Sequence, residues 1–132
     1  MSRPIEAGSP RILIVDDQQS NVRLLEHTLR RAGYAEVSST VEPRDVAAMH
    51  LEHRYDLILL DLQMPEMTGF QVMAQLQEVR ASNPVAILVL SADATQAKTA
   101  LEEGADSFMG KPFRLPDVVE RIQSMLKIQG GP

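Results

Sequence analysis

The chain has 132 residues, 44% of them hydrophobic and 23% charged, a balance that fits one globular domain with its own core. It contains no cysteine, which excludes disulfides, zinc thiolates and a thiol nucleophile. A net charge of −5 argues against a domain that itself grips nucleic acid, and the apolar runs fall far short of the ~20 residues needed to span a bilayer. The opening "MSRPIEAGSP" lacks the apolar centre of a secretory signal, so a soluble cytoplasmic protein is expected.

Residues 1–10 read as a flexible tail. "RILIV" (11–15) is a nearly continuous apolar run, as expected of a strand covered on both faces. A helix is predicted over 18–32, with Val22, Leu25, Leu29 and Ala32 on one face and Gly33 as its stop. "EVSST" (36–40) is a weaker run that suits an edge strand. The 44–53 segment has poor periodicity but occupies a helix position. "DLILL" (56–60) is a second buried strand, followed by a helix over 67–80 that lines up Val72, Leu76 and Val79. "VAILVL" (85–90) is a third. The helix expected over 94–103 has an apolar face of Ala94, Ala97, Ala100 and Leu101 before Gly104. Such small side chains bury little area and should hold it weakly. "SFMG" (107–110) reads as the other edge strand. A last helix over 115–128 aligns Val118, Ile122 and Met125 beside Val119 and Leu126. The domain is thus expected over 11–128, with "QGGP" (129–132) as a frayed end or the start of a linker.

Strict alternation of strand and helix implies a parallel sheet with helices on both faces and right-handed crossovers. With strong central runs and weak edges, the order 2-1-3-4-5 fits: an α/β fold, a (βα)5 flavodoxin-like doubly wound sheet. Ligands of such sheets bind outside the carboxyl ends of the strands, where the first and third strands diverge.

The residues at that rim carry the chemistry. Asp16 and Asp17 follow the first strand, Asp61 the third, Ser91 the fourth, and Lys111-Pro112 the fifth. Asp61 ends the apolar run Leu57 to Leu60, where a lone desolvated carboxylate costs several kcal/mol or shifts its pKa upward. It needs water or a cationic partner. Three converging carboxylates suit a hard divalent cation such as Mg²⁺. An ammonium and a hydroxyl beside that cation would hold a phosphoryl group, with Asp61 as the nucleophile that accepts it. Each residue alone also has a plainer reading: the Asp pair, Asp61 and Ser91 as helix or turn caps, Lys111 as a solvated side chain. Their joint placement at four strand ends favours the site. His27, His50 and His53 show no ligand spacing and are read as surface residues.

At these residues the chain resembles the receiver domain of two-component response regulators. "ILIVDD", "DLILLDLQMPEMTG", "LSAD" and "GADSFMGKPF" occur in the family's order, and the match runs from about Arg11 to Leu126. Receivers are themselves among the standing examples of the 2-1-3-4-5 order. The resemblance implies that Asp61 is the phosphoacceptor. It implies that Asp17, Asp61 and the backbone carbonyl of Gln63 bind Mg²⁺, with Asp16 helping through water. Lys111 would pair with the phosphoryl group, Ser91 would hydrogen-bond to it, and Phe108 would occupy the aromatic switch position. The Lys111–Pro112 bond is expected to be cis. Gly69 is expected to permit close packing or a positive φ. Thr68 stands where many receivers carry Asp, Ser91 replaces the commoner Thr, and Gln63 and Asp93 occupy variable positions that tune phosphoryl lifetime.

The implied partner is a sensor histidine kinase or a histidine phosphotransfer protein, selected by the first helix around Gln18 to Leu25. The domain would catalyse its own phosphorylation and dephosphorylation, acting mainly as a signalling switch. The responding surface would comprise the 94–103 helix, the last strand and the last helix, through which it could also form a homodimer. The alternative is a degenerate receiver that binds proteins without phosphorylation, which would typically lack Asp61 or Lys111. A flavin carrier would need a phosphate loop in place of "DDQQSN". A haloacid-dehalogenase-type phosphatase would need an Asp-x-Asp motif and a cap domain.

Overall fold

A computed structural model describes residues 10–64 and 67–129, with the side chains of residues 128 and 129 excepted. The elements run β1 (Arg11–Val15), α1 (Gln19–Arg31), β2 (Glu36–Thr40), α2 (Val46–His53), β3 (Leu57–Asp61), α3 (Gly69–Arg80), β4 (Ala86–Ser91), α4 (Ala97–Glu102), β5 (Ser107–Gly110) and α5 (Leu115–Gln129). Short 3₁₀ turns at Pro43–Asp45 and Ala94–Gln96 lead into α2 and α4. Of the tail expected over 1–10, residues 1–9 lie outside the described residues, as do 130–132, Pro65 and Glu66.

All strand pairs are parallel, in the order β2-β1-β3-β4-β5, as expected from the three continuous runs and two weaker ones. Both faces of the sheet are covered. Leu13, Val15, Ile58, Leu60, Ile87 and Val89 face one layer, with Val46 of α2, Val72, Met73 and Leu76 of α3, and Ala100 of α4. Ile12, Ile14, Leu57, Leu59, Leu88 and Leu90 face the other, with Val22, Leu25 and Leu29 of α1 and Val118, Ile122 and Leu126 of α5. Successive strand residues alternate between the two clusters, the period-2 pleat expressed twice.

Three expectations need correction. Ala32 caps α1 and is exposed rather than part of its buried face, because the helix ends at Arg31. The 94–103 segment is a 3₁₀ turn followed by six α-helical residues. Ala100 alone among them is buried, while Ala94 and Leu101 face solvent, Leu101 at 49% exposure. Gly69, expected to permit close packing or a positive φ, serves close packing and has no positive φ. A Cβ there would lie 2.8 Å from Leu62 Cα and 2.9 Å from the Asp61 carbonyl oxygen. Positive φ instead falls at Gly33, Arg54 and Gly104, which follow α1, α2 and α4.

The third correction concerns His50, which is fully buried rather than on the surface. The Tyr55 amide donates to its Nδ1 (3.1 Å), so that nitrogen is the unprotonated one. Nε2 then carries the proton and donates to the Asn83 carbonyl (2.7 Å). This neutral imidazole ties α2 to the entrance of β3 and to the turn between α3 and β4. Burial holds its pKa below the usual histidine value, and the charges of Arg80 and Arg54 act in the same direction.

Candidate functional site

The carboxyl ends of β1 and β3 are adjacent, because Val15 pairs with Leu60. The next residues in this register are Asp16 and Asp61. Carboxylate oxygens of Asp16, Asp17 and Asp61 lie within 4.8 Å of one another. Asp16 and Asp61 are buried, and Asp17 stands toward solvent. Asp16 is held by the Gln18 amide (2.9 Å to Oδ1) and by Asn21 Nδ2 (3.4 Å to Oδ2). The N-cap of α1 is Gln18, so neither aspartate is spent on capping that helix.

Asp61 is the last residue of β3 and 6% exposed. Its Oδ1 accepts the Gln63 amide (3.1 Å) and lies 3.6 Å from Lys111 Nζ. Burial pushes its pKa up. The Gln63 hydrogen bond and the Lys111 charge oppose this, and the charges of Asp16 and Asp17 add to it. The question raised by a carboxylate ending an apolar run is therefore answered by a partner: water is largely excluded and an ammonium stands beside it.

Lys111 is positioned by β5. Ser91 pairs with Gly110, the Lys111 amide donates to the Ser91 carbonyl (2.7 Å), and the Lys111–Pro112 bond is cis. Ser91, fully buried, ends β4. In the alternation of β4, Leu88 and Leu90 face α1 and α5, and Val89 faces the opposite layer; Ser91 follows on Val89's side. Its hydroxyl donates to Gln96 Oε1 (2.9 Å) and accepts the Asp93 amide (3.1 Å). Phe108 pairs with Val89 and packs, half-buried, against that same layer. The structure thus brings Asp16, Asp17, Asp61, Gln63 and Lys111 to one place. It sets Ser91 and Phe108 toward α4.

Sequence reasoning missed Gln96, which no motif flags, and Asn21, whose amide helps fix Asp16. Thr68 caps α3 in a reciprocal pair with Gln71: the Gln71 amide donates to Thr68 Oγ1 (3.3 Å) and the Thr68 amide to Gln71 Oε1 (2.9 Å). The spacing of Thr68 and Gln71 is a legible capping-box signal. Beside the acidic cluster lies a cleft of about 210 Å³. Leu24, Leu25, Pro112 and Phe113 form its apolar wall, and Asp16 and Lys111 also line it. Leu24 is 50% exposed.

Comparison with known proteins agrees with this geometry. A family model described as the response regulator receiver domain matches residues 12–123. The chain is 34% identical to the transcriptional regulatory protein PrrA of Mycobacterium bovis, over 93% of this chain and 52% of that protein. It is 33% identical to the response regulator ArlR of Staphylococcus aureus, over 89% of this chain and 53% of that protein. The chain therefore spans about half the length of these curated relatives. Among solved structures, it resembles the chemotaxis protein CheY4 of Vibrio cholerae with a TM-score of 0.81 and 28% identity, covering 89% of this chain and 99% of that one. The N-terminal domain of the nisin resistance regulator NsrR matches with a TM-score of 0.77 and 33% identity, covering 91% and 100%.

Proposed function

This chain belongs to the receiver domains of two-component response regulators, and we propose that it works as a phosphorylation switch whose acceptor is Asp61. The observation that carries the reading is the setting of Asp61: nearly buried, among two other carboxylates, with the Lys111 ammonium 3.6 Å away. A carboxylate so placed is costly to the fold and suited to reaction.

The donor would be a phosphohistidine on a kinase or phosphotransfer partner. An Asp61 carboxylate oxygen attacks phosphorus, the phosphorus–nitrogen bond breaks, and the imidazole leaves with the bonding electron pair. The product is an acyl phosphate on Asp61. Lys111 offsets charge on the transferring oxygens. The cleft beside the site, with Leu24 and Leu25 of α1 on one wall and Pro112 and Phe113 on the other, supports docking of an apolar partner surface there.

The donor set fits Mg²⁺: hard oxygens from three carboxylates, close enough to share one ion. Asp17, Asp61 and the Gln63 carbonyl would hold it directly. Asp16, whose oxygens already accept from Gln18 and Asn21, would act through water. When bound, the cation supplies charge neutralisation at the phosphoryl oxygens.

Once Asp61 is modified, Ser91 turns its hydroxyl to the phosphoryl group and Phe108 repacks. The change reaches the face formed by α4, β5 and α5, which could also pair two copies. The domain boundaries proposed are 11–128.

Incubation with a small-molecule phosphodonor and Mg²⁺, followed by intact mass measurement, tests the reading. Wild type should gain one phosphoryl group, and Asp61→Asn none. Equal incorporation by both would remove Asp61 from its role. No incorporation by wild type would favour a binding module that works without phosphorylation.

A further inference from the structure

The Ser91 hydroxyl is engaged on both sides. A backbone amide can only donate, so the Asp93 N–H uses an Oγ lone pair, and the hydroxyl proton goes to the Gln96 carbonyl oxygen. Ser91 is fully buried, and a buried hydroxyl surrenders such an acceptor only against a replacement. Gln96 closes the 3₁₀ turn Ala94–Gln96, and α4 starts at the next residue. Asp93 caps that turn through the Thr95 amide (3.0 Å) and the Thr95 hydroxyl. Both partners of the Ser91 hydroxyl therefore lie on the segment between β4 and α4.

We propose that Gln96 is a positioning residue, a latch that holds the Ser91 hydroxyl in its resting orientation and must be released when Asp61 is phosphorylated. The proposal rests on the reading of Asp61 as phosphoacceptor. A phosphoryl oxygen on Asp61 is a charged acceptor and outcompetes the neutral amide oxygen of Gln96. When the proton changes acceptor, Gln96 loses its tie to β4. Gln96 is only partly buried, so its freed oxygen can turn to water. The turn ahead of α4 then loses one of the bonds that anchor it to the sheet. The latch therefore sets how strongly the resting state is favoured, and it couples the site to α4 through one hydrogen bond.

The test uses Mg²⁺ and beryllofluoride, a phosphoryl mimic, with affinity read by calorimetry. Gln96→Leu removes the acceptor and should tighten binding about 3- to 10-fold, the worth of one ordinary hydrogen bond. Gln96→Glu puts a charged acceptor in the same place, holds the hydroxyl more tightly and should weaken binding below wild type. In a Ser91→Ala background, Gln96→Leu should change nothing. A second readout needs neither metal nor mimic. The Ser91 χ1 angle, from NMR couplings, should be single in wild type and averaged in Gln96→Leu, with Gln96→Ala as a smaller replacement if leucine disturbs the turn. Unchanged or weaker binding by Gln96→Leu overturns the latch, as does equal tightening in the Ser91→Ala background or an unmoved χ1. Those results leave the phosphoacceptor reading standing if wild type binds the mimic. Absence of binding by wild type overturns that reading and the latch with it.

Discussion

Asp61 bears its charge at a cost that its neighbours only partly offset. Burial and two nearby carboxylates raise its pKa, while one amide and one ammonium oppose them. A group whose folded pKa is raised stabilises the fold when protonated and loses that contribution as pH rises through the folded value. At neutral pH the charged form is therefore a net strain. Asp61→Asn should raise the thermal midpoint by about 2–6 °C without added cation. Saturating Mg²⁺ should stabilise wild type more than the variant, narrowing the gap by mass action. Calorimetry in both conditions checks this; a lower midpoint for Asp61→Asn in metal-free buffer would contradict it. Asp16, Asp17, Asp61 and Lys111 were legible as a group because each directly follows a recognisable strand. Gln96 was not, since its bond to Ser91 depends on side-chain torsions that no spacing encodes.

The elements around the site differ in how firmly they are held. The start of α3 is fixed twice, by the Thr68–Gln71 cap and by Gly69 pressed against Leu62 and the Asp61 carbonyl. Gly69→Ala should cost about 1–3 kcal/mol through overpacking. Thr68→Ala should cost about 1 kcal/mol through loss of the cap. Denaturant unfolding measures both, and a neutral Gly69→Ala would show that the backbone yields there. By contrast, α4 spans six residues with only Ala100 buried. Its amides should exchange with solvent orders of magnitude faster than those of β3 and β4. Exchange as slow as the central strands would exclude α4 as the mobile element. The weakness of α4 was readable from its alanines, but its 3₁₀ beginning was not. Helical periodicity does not distinguish three residues of 3₁₀ from one more α turn.

Across the whole molecule, the strand order followed from three continuous apolar runs and two weak ones, since only strands buried on both faces lack alternation. What escaped was how the layers are tied at the edge opposite the site. His50 bridges the Tyr55 amide and the Asn83 carbonyl from a segment with little periodicity, so nothing in its spacing marked it as buried. Its depressed pKa has the opposite consequence to that of Asp61. The neutral imidazole stabilises the fold above the unfolded value of ~6.5, and this contribution is lost as pH falls from there toward the folded value. Wild type should lose more stability than His50→Gln when pH is lowered through that window. Parallel losses in thermal melts of the two proteins would contradict it.

The central claim is that this fold exists to place a transferable phosphoryl group on Asp61. Borohydride reduction of the phosphorylated protein converts an aspartyl phosphate to homoserine, which peptide mass mapping locates. The account predicts homoserine at position 61 and at no other aspartate, dependent on a divalent cation. Reduction at Asp16 or Asp17, or a stable phosphate on a hydroxyl side chain instead, would contradict it.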